Sequence, residues 1–136
     1  MNNNHNIEFE LNDGGYFFPI QIIEEDEARD FYNYYKEKKN LFSQSLLFEH
    51  KFKAHLVFKK INDLIRDERL LDIAEKFIGP NILCWNSIIF YKKSNSQSFV
   101  GWHEDKTYWN LSNDKILTFS IAISDSNMEN GCLKFF

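Results

Sequence analysis

Val100-Gly101-Trp102-His103-Glu104-Asp105-Lys106-Thr107-Tyr108-Trp109 sets an imidazole and a carboxylate two residues apart, among aromatic residues and ahead of the strand-like run 116–123. Successive side chains of an extended segment alternate faces, so His103 and Asp105 are expected on one face and Glu104 on the other. An imidazole and a carboxylate on one face suit a divalent first-row metal, with a third ligand to be found elsewhere. Spacing alone carries little weight. Four histidines and 20 acids in 136 residues give about 0.6 such pairs by chance.

The flanking residues carry the reading. Two histidines and one carboxylate with open positions is the arrangement of non-haem Fe(II) oxygenases. Around the pair stand Trp102-His103-Glu104-Asp105, then Tyr108-Trp109, then Leu117-Thr118-Phe119-Ser120-Ile121-Ala122-Ile123, then Asn130-Gly131-Cys132, in that order. This text resembles the phytanoyl-CoA dioxygenase family. The resemblance runs upstream through residues 67–75 and 79–83 to Asp13-Gly14-Gly15-Tyr16-Phe17, and so covers nearly the whole chain.

The resemblance implies Fe(II) as cofactor, 2-oxoglutarate as cosubstrate, and O2 as oxidant in the hydroxylation of a small organic or acyl substrate. It implies an α+β, mainly β fold, with N-terminal helices packed on an incomplete double-stranded β-helix, or jelly roll. His103 and Asp105 would be metal ligands. Lys51, which matches the family's lysine upstream of the Gly-Pro turn, would contact the cosubstrate with Asn86, Ile88 and Ser120. In some family members a tryptophan occupies the position of Ser120. Trp102, Tyr108 and Trp109 would wall the substrate pocket, with core packing the competing role for Trp109.

After Asn-Gly-Cys the family continues through a Pro-Gly-Ser-His-like turn to a distal iron histidine and an arginine that grips 2-oxoglutarate. The sequence in hand stops at Phe136, and His5, His50 and His55 all lie upstream. Residues 1–136 are therefore expected to be the N-terminal portion of one such domain, with 1–6 a loose arm and no turnover by this piece alone. A catalytically inactive fragment or truncated gene product is the alternative, and a cupin-like metal-binding module the third reading.

Composition narrows the partners. Net charge is −4 with basic residues scattered, which is no nucleic-acid footprint. No apolar run approaches the ~18 residues of a membrane span. Cys84 and Cys132, with no secretory apolar segment, fit free thiols in a reducing compartment, and Lys134-Phe135-Phe136 is not a peroxisomal address. The expected partners are a small-molecule substrate and O2 in the cytoplasm, with no nucleic acid and no membrane.

Along the chain, 16–20 reads as a short edge strand limited by Pro19. Residues 24–39 carry Ala28, Phe31, Tyr32 and Tyr35 at helical spacing, acids in the first turn and lysines in the last. Residues 41–53 have no clean period. Residues 56–65 and 67–78 read as helices, the second ended by Gly79-Pro80. Residues 81–91 are apolar on both faces, as in a buried strand, interrupted by Asn86-Ser87, which must find hydrogen-bond partners or line a wet cavity. His55 reads as a pocket wall or a satisfied surface histidine. Residues 116–123 alternate Leu117, Phe119, Ile121 and Ile123 against Thr118, Ser120 and Ala122, and Asn130-Gly131 is a tight turn.

Overall fold

The structure is a computed structural model that describes residues 14–40, 52–112 and 115–135. The chain divides into two compact units, residues 1–37 with 121–136, and residues 38–120. Five helices occur among the described residues: α1 (Glu25–Asn40), α2 (Ala54–Val57), α3 (Lys59–Ile65), α4 (Glu68–Ile78) and α5 (Asp105–Trp109). None is long and apolar enough to cross a membrane.

The jelly-roll expectation is corrected by the structure: the described residues contain helices and no strand. The nearest approach to a sheet is an isolated parallel bridge between Lys53 and Ser87. Side-chain alternation specifies which face a segment presents, but a strand also needs a second segment in register to take its N–H and C=O groups. In residues 116–123 the alternation survives without the ladder. Leu117, Phe119, Ile121 and Ile123 are half-buried, whereas Thr118, Ser120 and Ala122 are exposed. Residues 81–91 depart further, since Leu83 and Phe90 are 76% and 74% exposed, so this is not a buried strand. Residues 16–20 are likewise irregular and contain a cis Phe18-Pro19 bond.

The helices follow local sequence closely. In α1, Glu25, Asp26 and Glu27 open the helix and Lys38 and Lys39 close it, each charge set facing the opposite partial charge of the helix end. Phe31 is its buried residue. In α4, Asp67 accepts the Arg69 backbone N–H at 2.9 Å as N-cap, which satisfies one of the helix's orphan donors. Gly79 ends α4 with φ 84° and ψ 177°, a combination essentially confined to glycine, and its N–H donates to the Glu75 carbonyl at 2.9 Å. Leu70 and Ala74 form the buried face.

The helix expected over 56–65 is two helices separated at Phe58. That residue is extended (φ −111°, ψ 111°), with its ring buried. Among the described residues of the 38–120 unit, Ala54, Phe58, Ile61, Leu70 and Ala74 are the buried apolar ones, supplied by α2, α3, α4 and the residue that joins α2 to α3. In the other unit, Tyr16, Phe18 and Phe135 stack, with Tyr16 and Phe135 centroids 4.6 Å apart. Gly131 takes φ 83° in the expected turn. Asn127 and Asn130 brace that turn, with Asn127 N–H donating to Asn130 Oδ1 at 2.8 Å and Asn130 Nδ2 to the Asp125 carbonyl at 2.9 Å.

Candidate metal centre

His103 and Asp105 come together, although not through a strand. Asp105 is the first residue of α5, preceded by Glu104 in extended conformation as N-cap. This change from extended chain to helix brings His103 Nε2 to 3.3 Å from Asp105 Oδ1. The other ring nitrogen, Nδ1, lies 2.8 Å from the Gly101 carbonyl. A carbonyl can only accept, so Nδ1 carries a proton, which leaves Nε2 as the nitrogen able to donate a lone pair whenever the ring is neutral. Asp105 Oδ2 accepts the Thr118 hydroxyl at 2.7 Å. Tyr108 meets the imidazole edge-on, centroids 5.5 Å apart.

The donor set suits a divalent cation. One imidazole nitrogen and one carboxylate oxygen 3.3 Å apart can both reach an ion held at roughly 2.0–2.2 Å by each. They supply two donors. Among the described residues no group of three histidine, cysteine, aspartate or glutamate side chains is placed to hold a metal. The pair is partly open to solvent, at 33% and 41% side-chain exposure, and so are the flanking aromatics: Trp102 and Tyr108 are 65% and 72% exposed, and Trp109 is half-buried.

Lys51 is outside the described residues. Ser120 and Ile88 are exposed. The Asn86-Ser87 pair takes two different courses. Ser87 Oγ is 2.6 Å from His55 Nδ1 and accepts the His55 backbone N–H at 2.9 Å. Its backbone exchanges bonds with Phe52 and Ala54. Asn86 Oδ1 is buried without a hydrogen-bond partner among the described residues.

Sequence reasoning passed over two features here. His55 is 7% exposed, a buried histidine rather than a surface group. Burial, then the nearby Lys53 and Arg66 charges, hold its pKa below the usual histidine value. Cys84 Sγ is 3.8 Å from the same imidazole nitrogen, and burial pushes this thiol up from its ordinary range. Lys53 donates to the Trp85 carbonyl and sits 4.2 Å over that indole. The signal was present in the polar interruption Asn86-Ser87, but its partner lies 32 residues upstream. Thr118 was the second omission, read only as part of a small polar face. Both cysteines are free thiols.

The sequence profile described as phytanoyl-CoA dioxygenase (PhyH) matches residues 21–136. The chain belongs to the phytanoyl-CoA dioxygenase family. Among curated relatives of this PhyH chain is a probable alpha-ketoglutarate-dependent hypophosphite dioxygenase of Stutzerimonas stutzeri, 34% identical over 78% of the chain and 36% of the relative. Ectoine dioxygenases of Streptomyces coelicolor and Streptomyces avermitilis are each 29% identical over 60% of the chain and 29% of the relative. The PhyH chain thus spans about a third of the length of the curated relatives it matches. No solved structure matches it significantly.

Proposed function

We propose that the chain is the N-terminal portion of one Fe(II)/2-oxoglutarate-dependent dioxygenase domain, with His103 and Asp105 as two of the metal's protein ligands. Support comes from the family profile, which runs unbroken from residue 21 to 136 across both units. The single observation that carries the ligand assignment is the orientation of the pair. With Nδ1–H committed to Gly101, Nε2 is the nitrogen left to bind a metal, and Asp105 Oδ1 lies 3.3 Å from it.

When bound, the metal would couple oxidative decarboxylation of 2-oxoglutarate to hydroxylation of the substrate. This chain's residues then have definite tasks. The Gly101 carbonyl holds the histidine tautomer, as outer partners of ligating histidines do. The Tyr108 edge restrains the imidazole plane. Lys51 and Asn86 offer hydrogen-bond donors to a dicarboxylate, with Ile88 as an apolar wall and Ser120 leaving room. Trp102, Tyr108 and Trp109 flank the metal pair as substrate contacts. The relatives' names specify hypophosphite and ectoine, both small and polar, which favours a small polar substrate over an acyl thioester. Free thiols favour a reducing, cytoplasmic setting.

A second reading, a catalytically silent chain, is favoured by the donor count, since only two metal donors meet among the described residues. The two readings separate in a succinate-release assay with Fe(II), 2-oxoglutarate and O2. The natural polypeptide carrying this sequence is expected to release succinate, His103→Ala and Asp105→Ala to abolish it, and the 136-residue chain alone to release none. Activity that survives Asp105→Ala would overturn the ligand assignment, and a natural polypeptide that never consumes 2-oxoglutarate would leave the silent reading.

A further inference from the structure

A carboxylate on a helical first turn has two chemically equivalent oxygens, and the torsion that exchanges them is broad and roughly two-fold. Asp105 is not left in that symmetric state. Thr118, thirteen residues downstream, commits its hydroxyl to Oδ2 at 2.7 Å, while Oδ1 faces His103 Nε2 at 3.3 Å. We propose that Thr118 is a positioning residue that selects which oxygen of Asp105 is presented, beside His103, to a divalent metal ion. The inference rests on the reading of His103 and Asp105 as ligands.

Thr118 stands between the half-buried Leu117 and Phe119 and is itself exposed. It contributes a hydroxyl rather than packing. That hydroxyl restricts the carboxylate before a metal arrives, which removes part of the ordering cost of binding. By occupying a lone pair of Oδ2 it also favours a one-oxygen contact over a two-oxygen one. Together with the Gly101 carbonyl on His103 Nδ1, it would give each ligand one fixed outer partner, the arrangement that orients metal-binding side chains generally.

The test separates the hydroxyl from the shape of the side chain. Valine keeps the branching of threonine and lacks the hydroxyl, whereas serine keeps the hydroxyl and lacks the methyl. The probe is Co(II), titrated into the natural polypeptide carrying this sequence and into its variants and followed by visible ligand-field absorption, with urea unfolding recorded in parallel. Wild type is expected to bind and His103→Ala to lose binding. Thr118→Val should bind about 10-fold more weakly or worse, within the 10–100-fold range of outer-partner losses, with a shifted absorption band and an unchanged urea midpoint. Thr118→Ser should lie within about twofold of wild type on the same scale.

The inference is overturned if Thr118→Val matches wild type while His103→Ala loses binding, or if Thr118→Ser is as weak as Thr118→Val. If wild type takes up no Co(II), or His103→Ala binds as well as wild type, the ligand reading fails and Thr118 has no role to play.

Discussion

At the scale of single residues, His55 is the side chain with most at stake outside the His103–Asp105 pair. It is buried, bonded to Ser87, and faced by Lys53 and Arg66. Its folded pKa lies below the ordinary 6.5, so the unfolded chain takes up the proton more readily. Stability is then fully present above the unfolded value and is lost as pH falls through the folded one. The urea midpoint should accordingly drop between pH 7.5 and pH 5, with a smaller drop in His55→Gln. An equal drop in that variant would show that other groups carry the effect. Ser87→Ala, which strands the imidazole nitrogen in a buried site, should cost about 1–3 kcal/mol at neutral pH.

At the scale of elements, α4 shows what was legible. Its glycine stop stands where the sequence puts it, and the Asp67 cap and the buried Leu70 and Ala74 are local features of the same segment. Asp67→Ala removes the cap and should cost about 1 kcal/mol. Gly79→Ala meets no atom within 4 Å, so its cost, about 1–3 kcal/mol, would be that of the backbone conformation alone. Urea unfolding of both variants checks the pair, and a neutral Gly79→Ala would show that the chain relaxes at this position. Residues 81–91 and 116–123 show what was not legible. Their apolar patterns were read as strands, yet pattern fixes a face and not a partner, and pairing depends on segments distant in the chain. The His103–Asp105 pair lies between these cases. Strand alternation puts the two side chains on one face, whereas the structure brings them together by starting a helix at Asp105. Thr118 was invisible because a hydroxyl on an alternating stretch carries no mark of the carboxylate thirteen residues away.

At the scale of the whole molecule, much apolar surface faces water. Leu83, Phe90, Phe99, Trp102 and Tyr108 are among the large exposed side chains of the 38–120 unit, a load associated with binding surfaces or with self-association. Trp85 and Trp102 are both exposed, so tryptophan emission should lie near that of a solvated indole and be readily quenched by iodide. Blue-shifted, unquenched emission at micromolar concentration would instead mean that these rings are covered by association. Within this unit the Lys53–Ser87 bridge and the His55–Ser87 bonds tie together positions 34 and 32 residues apart, with α2, α3 and α4 strung between them. Closing a loop of that length costs about 3 kcal/mol of chain entropy, while each helix can form from its own neighbours. The tie therefore acts as a late clasp. In amide hydrogen exchange, Ala54, His55 and Ser87 should open and close as one event, slower to form than α4 and lost all at once when any single member lets go.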